Sequence, residues 1–378
     1  MSQSPGILMM VIAFVLALGP LVFLHELGHY LAGRWFGVKA EVFSVGFGRE
    51  IGGFTDKRGT RWKFGMLPLG GYVRFAGDMN PGSQPDPNWL ALPAAERART
   101  FQAKPLWQRA IIVAAGPIAN FLVAIVILGA FAAAYGTITI PPVAGPIKAG
   151  TPAATAGLRE GDRILSIGGR EFDNFNDMAA FTSMRAGMRV EIDYVRDGQQ
   201  ARTETVIGQD VSKDRFGNEV RRGVLGIAAP AEIVRSTVPV WQAPIVGVER
   251  TFSLVGMMVD GLGQLIAGRV PVSELGGPMR IAKMSGESLS LGFESFVVFV
   301  ALISINLGFI NLLPVPMLDG GHLLFYAIEG VRRRPVEPQV MEWAFRGGLV
   351  AILALMVLVT FNDLGAFGVW RNLAGLIG

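Results

Sequence analysis

The 378-residue sequence contains no cysteine, which excludes disulfide bonds and thiolate metal sites and leaves the redox compartment undefined. Histidine is also scarce, because only His25, His29 and His322 occur. A transition-metal site in this chain would therefore have to combine these histidines with aspartate or glutamate.

Charged residues are few. They make up 17% of the chain, against about 25% in typical soluble domains, while 51% of residues are hydrophobic and the mean hydropathy is +0.42. This balance predicts a membrane protein with the lipid bilayer as its main partner. The net charge of +4 is small, and no nucleic-acid partner is expected.

The first apolar run extends from Ile7 to Leu24. A signal peptide would have basic residues before such a run and a small-residue cleavage site after it, and neither is present here. We therefore expect an uncleaved membrane segment. Four segments are long and apolar enough to cross about 30 Å of hydrocarbon: 7–36, within 110–136, 295–318 and roughly 345–362. A fifth candidate, 251–268, contains Asp260 and several glycines, and it either spans or lies on the membrane surface.

Loop charges predict the orientation. Twelve Lys or Arg residues and six Asp or Glu residues occur from Arg34 to Arg109, and Arg332, Arg333 and Arg334 form a second basic loop. Both loops should be cytoplasmic, which four spans allow. The two termini and residues 137–294 then lie outside the cytoplasm.

The outer region contains short alternating strands, such as 190–195, separated by turns. The stretch 149–169 resembles a bacterial PDZ domain: a short helix, a Gly161-Asp162 turn and a buried strand. We call residues 137–229 the PDZ-like module. The resemblance implies capture of a peptide or protein ligand by strand addition. The alternative is a small β domain without a ligand.

Residues 25–29 read His-Glu-Leu-Gly-His, the zinc-peptidase pattern H-E-x-x-H. On a helix, His25 and His29 lie one turn apart on one face and can share a metal ion. Glu26 lies beside that face. These ionisable residues continue an apolar membrane segment, where a central charge costs roughly 2.5–3.5 kcal/mol. The alternative is a set of polar residues that satisfy one another inside a helix bundle.

Catalytic zinc takes three protein ligands and leaves one position open. Asp319 ends an otherwise uncharged membrane stretch and is the predicted third ligand. His322 is a competitor, although a supporting or structural role is ranked first for it. Pro314 and Pro316 should break the helix, which at membrane depth requires a cavity or protein packing.

The embedded His25-to-His29 motif, the distant Leu318-Asp319-Gly320 and the PDZ-like module together resemble the site-2 protease family, in the bacterial regulator of sigma-E protease type. The resemblance also covers four other stretches: 43–48, 68–73, 275–278 and 306–311. The chain has room for one PDZ-like module, whereas that type has two.

The resemblance implies Zn²⁺ as cofactor, held by His25, His29 and Asp319, with Glu26 as catalytic base and Asn311 positioning the substrate. Independently, an Asn311 amide within a spanning segment needs a hydrogen-bond partner, either substrate or a neighbouring helix. The implied substrates are single-pass transmembrane proteins in a bacterial inner membrane, cut toward the cytoplasmic side.

The predicted fold is a mainly α-helical polytopic membrane protein. Residues 1–136 form the first part of the protease core, with a membrane-associated β-hairpin region at 41–75. The extracytoplasmic α+β module occupies 137–229, a surface or gating amphipathic region occupies 230–294, and residues 295–378 complete the core. Two interpretations stay open for the hairpin region: it holds an unwound substrate strand, or it only packs against the rest of the protein. Likewise, residues 231–290 either gate the entry of substrate or only pack at the membrane interface.

Two other functions remain open. One is a catalytically inactive membrane scaffold that binds exported proteins through the PDZ-like module, although a scaffold has no need of Glu26. The other is a metal transporter, in which polar residues line an ion path. Within the protease hypothesis, the substrate is a transmembrane regulator after a first outer cut, or remnant signal peptides.

Overall fold

The computed structural model describes residues 6–79, 89–213, 219–230, 234–268 and 276–366. Leu275 of the 275–278 stretch and residues 367–378 of the predicted second core segment lie outside these ranges. Within them the chain forms ten α-helices: α1 Ile7–Trp35, α2 Ala94–Arg97, α3 Leu106–Tyr135, α4 Pro152–Thr155, α5 Phe175–Ser183, α6 Ala243–Ile266, α7 Pro278–Ser290, α8 Phe293–Leu312, α9 Asp319–Arg332 and α10 Pro338–Ala366.

The same ranges contain ten strands: β1 Ala40–Thr55, β2 Arg61–Phe75, β3 Thr137–Thr139, β4 Arg163–Ile167, β5 Arg170–Glu171, β6 Arg189–Arg196, β7 Gln199–Val206, β8 Gly208–Lys213, β9 Glu219–Val224 and β10 Val234–Ser236. Every pairing is antiparallel. The fold is thus mainly helical with several small sheets.

Four of the described helices are long and apolar enough to cross a membrane: α1, α3, α8 and residues 339–364 of α10. They coincide with the four segments predicted from the sequence. The third of these spans, α8, ends at Leu312 rather than at Leu318, because Pro314 lacks an N–H and disfavours helical backbone at Leu313. The fifth candidate segment lies in α6, which is not among the four.

The described chain divides into two compact units, residues 1–128 with 277–360 and residues 129–276 with 361–378. The first unit contains α7, which the sequence-based division had placed with the surface region. In this unit α1, α7 and α8 pack through small and aromatic side chains, with Ala13 and Ala17 fully buried against Phe296 and Phe299. Small side chains on α1 therefore allow close helix contact.

The predicted hairpin region is one long irregular hairpin, β1 paired with β2. Its aromatic face packs on α1, where Phe43 stacks on Trp62 at 4.3 Å and meets Tyr30 edge-on at 5.8 Å. The strands approach closely at Gly46 and Gly65, since a Cβ on Gly65 would lie 2.6 Å from the Gly46 carbonyl carbon. The hairpin is thus fixed to the helix that carries His25 and His29.

The second unit holds the PDZ-like module. Its sheet has the order β5–β4–β6–β7, and its core is built on Ile164, Ile167 and Ile192 together with α5. The predicted short helix, turn and buried strand are α4, Gly161-Asp162 and β4. Gly161 has a φ of +94°, which glycine adopts without strain.

Asp162 ties the turn to β6. Its side chain is 1% exposed and accepts hydrogen bonds from Nε and Nη2 of Arg196, each at 2.7 Å, and from the Arg159 backbone N–H at 2.7 Å. Burial favours the neutral acid, but these hydrogen bonds outweigh it and hold the pKa of Asp162 below its ordinary value.

We expect Asp162→Asn to lower the free energy of opening of this sheet by about 1–3 kcal/mol at pH 7, because one buried charged acceptor is lost. Since the folded-state pKa is depressed, the contribution of Asp162 is present above its unfolded pKa of about 3.9 and is lost as the pH falls through the folded value. Wild type and variant should therefore converge in strong acid. Hydrogen exchange of peptides from β4 and β6 in the full chain measures both effects.

Glu204→Gln is the matched control, because its ion pair with Arg189 spans 3.9 Å and both side chains are more than half exposed. Its effect should stay within about 0.5 kcal/mol. Equal protection of the Asp162→Asn variant and the wild type at pH 7 would contradict the role given to Asp162.

Candidate metal centre

Two imidazoles face each other on α1. The ring centroids of His25 and His29 lie 4.8 Å apart, and their Nε2 atoms are 3.2 Å apart. This is the geometry of positions i and i+4 on one helix face. His25 is 7% exposed, so the pair lies inside the first unit rather than on its surface.

Asp319 reaches the same point from α9. Its Oδ2 atom lies 3.2 Å from Nε2 of His25 and 3.5 Å from Nε2 of His29. Among the described residues, these three form the one group of at least three His, Asp or Glu side chains with ligand atoms all within 4.8 Å of one another. The structure therefore brings together the three residues that the sequence predicts as ligands.

A tight reversal between α8 and α9 places Asp319 there. Met317 has a φ of +83°, an uncommon value for a residue other than glycine. A Cβ on Gly320 would lie 2.2 Å from the Leu313 carbonyl oxygen, and one on Gly321 would lie 2.4 Å from that of Val315. Only glycine fits at these two positions, so the Gly320-Gly321 pair serves to fold the chain back behind the carboxylate.

The backbone of α3 closes the third side of the centre. A Cβ on Gly116 would lie 2.2 Å from Nε2 of His29 and 2.9 Å from Nε2 of His25. On α1, a Cβ on Gly28 would lie 2.4 Å from the carbonyl oxygen of Ala115. Glycines on both helices thus permit a contact in which the α3 backbone lies directly against the histidine rings.

Partners on α3 orient both rings through their Nδ1 atoms. Nδ1 of His29 lies 2.9 Å from the carbonyl oxygen of Ile112, and Nδ1 of His25 lies 3.0 Å from Nδ2 of Asn120. Asn120 is fully buried, and its backbone carbonyl oxygen accepts a hydrogen bond of 2.7 Å from Oγ of Ser304 on α8. Both histidines are thereby left with Nε2 facing Asp319.

The centre fits a divalent metal ion. Oδ2 of Asp319 is buried and has no hydrogen-bond partner among the described residues, as expected for an atom reserved for a cation. The three separations of 3.2, 3.2 and 3.5 Å match the edge of about 3.3 Å in a tetrahedron with bonds of about 2.0–2.1 Å, as zinc forms. Two imidazoles and a carboxylate form a donor set typical of catalytic zinc.

Glu26 and Asn311 line the same cavity of about 300 Å³ as the three candidate ligands. Glu26 is 8% exposed. A Cβ on Gly71 would lie 2.9 Å from Cγ of Glu26, so β2 passes directly over this carboxylate. Asn311, near the end of α8, forms another part of the wall.

His322 lines the same cavity but does not belong to the group of three. Its ring packs on Phe345 at 4.8 Å and on Tyr326 at 6.4 Å. Burial lowers the pKa of His322 despite the nearby carboxylate of Asp319. A neutral ring packed among aromatic side chains suits the supporting or structural role that was ranked first for it.

The sequence analysis did not single out Gly116 or Asn120. Asn120 carried a usable signal, since it is a polar residue in a segment without charge from Ala110 to Ile147. Like Asn311, Asn120 needs a hydrogen-bond partner within a spanning segment. Gly116 carried no comparable signal, because its role depends on which helix packs on the histidines.

Comparison with known proteins agrees with this centre. Residues 13–355 match the model of peptidase family M50. A protein of Agrobacterium fabrum named "Putative zinc metalloprotease Atu1380" is 41% identical over 94% of this chain and 96% of its own. Metalloprotease MmpA of Caulobacter vibrioides is 35% identical over 98% of this chain and 99% of its own.

Among solved structures, the PDZ domain of an SdrC-like protein from Listeria monocytogenes matches 24% of this chain and 87% of its own, at 22% identity. Its TM-score of 0.19 is too low to bear on the fold.

The chain belongs to peptidase family M50, the site-2 protease family, because the family model covers most of its length. It is a zinc metalloprotease, as its relatives are named, and zinc is its cofactor. The resemblance expected from the sequence is thereby confirmed.

Proposed function

We propose that this protein is an intramembrane protease that hydrolyses peptide bonds of membrane-spanning substrates. The observation that carries the proposal is the convergence of His25, His29 and Asp319 in a cavity enclosed by helices apolar enough to span a bilayer. Ionisable groups at such positions are costly unless they have a function.

In this proposal His25 and His29 hold zinc through Nε2, and Asp319 holds it through Oδ2. Zinc, when bound, supplies Lewis acidity, which lowers the pKa of a coordinated water and polarises a carbonyl group. Glu26 takes a proton from the attacking water and delivers it to the leaving nitrogen of the peptide.

Asn311 and β2 position the substrate. The Asn311 amide donates a hydrogen bond to the scissile carbonyl oxygen or to the substrate backbone. A spanning substrate helix has its carbonyl groups in hydrogen bonds, so it must unwind before attack. Residues 70–73 of β2 line the cavity, which supports pairing of the unwound segment with this strand.

The proposed location is a bacterial inner membrane, with the centre toward the cytoplasmic side. The Lys and Arg excess between Arg34 and Arg109 supports this orientation. The PDZ-like module and both termini then lie in the periplasm. Substrates are single-pass proteins: a transmembrane regulator after a first outer cut, or remnant signal peptides. The PDZ-like module binds a peptide or protein ligand, and residues 230–294 control entry.

The scaffold and transporter alternatives are disfavoured by the position of Glu26. A carboxylate that lines the same cavity as the three metal-ligand atoms and lies under β2 serves proton transfer, whereas peptide binding by the PDZ-like module has no need of it. An ion path needs no such base either. Zinc uptake into vesicles that survives replacement of Glu26 would favour the transporter.

We expect Glu26→Gln to retain zinc and to lose peptide hydrolysis by at least about 100-fold, because the amide cannot accept the proton. Zinc per protein is measured by elemental analysis of the purified protein, and cleavage is measured on a single-pass substrate in liposomes. Glu41→Gln is the control, since Glu41 pairs with Arg74 at 3.2 Å and lies outside the cavity at the metal centre. Undiminished cleavage by the Glu26→Gln protein would refute the proposed role.

We expect Gly116→Ala to reduce the zinc content severely, because its Cβ would occupy space 2.2 Å from Nε2 of His29. The rings cannot easily retreat, since α3 holds both of them through Nδ1. Gly19→Ala is the matched control: it makes the same change on α1, where no atom lies within 4 Å of the new Cβ. Equal zinc content in the two variants would show that Gly116 is not required for space.

Asn120 should set the tautomer of His25. Metal on Nε2 requires a proton on Nδ1, which needs an acceptor. The amide atom nearest to Nδ1 is Nδ2, while Oδ1 of Asn120 is buried without a partner among the described residues. Because amide O and N are nearly interchangeable, a half-turn of this group places Oδ1 against Nδ1–H of His25. Asn120 then accepts from His25.

We therefore expect Asn120→Leu to weaken zinc binding about 10–100-fold, the usual effect of losing a partner behind a ligand. Asn120→Asp should bind zinc nearly as well as the wild type, because a carboxylate also accepts from Nδ1–H. Competition against a fluorescent chelator measures both affinities without any protease assay. A leucine variant with wild-type affinity, or an aspartate variant as weak as leucine, would contradict this role.

A further inference from the structure

A second cavity lies in the first unit, beside the end of α1 and away from the zinc ligands. Its volume is about 530 Å³, and its walls come from the last turn of α1, the start of β1, the turn between β1 and β2, and residues 92–100. Five cationic side chains line it: Arg34, Lys39, Lys57, Arg58 and Arg99. We call it the basic cavity.

Positive charge dominates this cavity. Only two carboxylates line it, Glu41 and Glu96, against the five cations. Glu41 is already paired with Arg74 at 3.2 Å. The nearby Asp56 accepts from the backbone N–H groups of Arg58 and Thr60 and from Nε1 of Trp62, and its charge also acts on Arg34. With Asp56 included, three carboxylates stand against five cations. The cavity thus has more cations than its own carboxylates can neutralise.

Arg34 provides a second, independent observation. Its Nε is buried and has no hydrogen-bond partner among the described residues. A buried guanidinium donor without an acceptor is costly, and native structures normally satisfy it with water, an ion or a ligand. An anion in the basic cavity would supply the missing acceptor.

The walls are held by backbone contacts. The Lys39 N–H donates to the Arg99 carbonyl oxygen at 2.9 Å, and the Ala76 N–H donates to that of Lys39 at 2.8 Å. Gly77 approaches Thr100 so closely that a Cβ would lie 2.8 Å from its side chain. The cations therefore converge on a built concavity rather than extending from a loose loop.

Two tryptophans place this cavity at the edge of the bilayer. Trp35 ends α1 and is 87% exposed, and Trp107 begins α3 and is 57% exposed. Exposed tryptophans at the ends of spanning helices lie at the level of the lipid headgroups. Arg34 is the immediate neighbour of Trp35, so the basic cavity opens where phospholipid phosphates are concentrated.

We propose that the basic cavity binds the phosphate of an anionic phospholipid of the phosphatidylglycerol type. Arginine and lysine side chains recognise phosphate through charge-assisted hydrogen bonds, and basic pockets beside spanning helices bind acidic headgroups. The lipid stabilises the junction between the hairpin and α1, which is the helix that carries His25 and His29. This binding does not depend on whether the protein is a protease.

The test uses the intact purified protein in zwitterionic detergent, titrated with dioleoylphosphatidylglycerol or dioleoylphosphatidylcholine and followed by native mass spectrometry. The variant combines Arg34→Gln with Arg58→Gln. The control combines Arg49→Gln with Arg61→Gln, which removes the same amount of charge from the neighbouring hairpin, outside the cavity. Lys57→Gln with Arg58→Gln, in the exposed turn, replaces the first variant if that protein does not retain zinc.

We expect the wild type to prefer phosphatidylglycerol over phosphatidylcholine. The cavity variant should lose about fivefold in affinity for each cation removed, and the control should lose little. Equal binding of the two lipids, or an equal loss in the control, would overturn the proposal. Inorganic phosphate or glycerophosphoglycerol that competes at the same concentration as the lipid would also overturn it, because the site would then belong to a soluble anion.

Discussion

The close contact between α1 and α3 is the constraint on which the metal centre depends. Two imidazoles on one helix can point at a common ion only if something behind them fixes both rings, and here that support is the neighbouring helix. Its backbone reaches the rings because Gly28 and Gly116 carry no side chain at the crossing. The Ile112 carbonyl and the Asn120 amide then hold Nδ1 of each ring. The contact between α1 and α3 therefore both orients the two imidazoles and supplies the groups that hold them.

The position of Asp319, the proposed third ligand, depends on a different feature, a chain reversal between two helices. Pro314 ends α8, Met317 adopts a positive φ, and Gly320 and Gly321 let the next helix start against the carbonyl groups of the previous one. Asp319 is the first residue of α9, where the helix dipole favours a negative charge. The farther end of α9 is anchored to α3 by the ion pair of Arg109 with Glu329 at 2.9 Å. Both ends of the helix therefore hold the carboxylate in register.

Local sequence patterns predict the three side chains that lie together in the structure. Helical spacing alone places His25 and His29 on one face, and the isolation of Asp319 in an uncharged stretch marked it without knowledge of the fold. The supports of the centre were missed for a physical reason. Gly116 and Asn120 matter only because α3, more than 80 residues along the chain from His29, packs against α1. No periodicity within α3 specifies that neighbour.

One cation accounts for two otherwise unexplained features of the interior. A protein that places polar groups among apolar helices must satisfy nearly all of them, since no water replaces a missing partner. Oδ2 of Asp319 and Oδ1 of Asn120 are both buried without a hydrogen-bond partner among the described residues. An ion at Oδ2 satisfies the first directly. The ion also fixes the proton of His25 on Nδ1, and this N–H needs an acceptor. Oδ1 of Asn120 becomes that acceptor when the amide turns. A bound cation would thus satisfy Oδ2 of Asp319 directly and Oδ1 of Asn120 through the tautomer of His25.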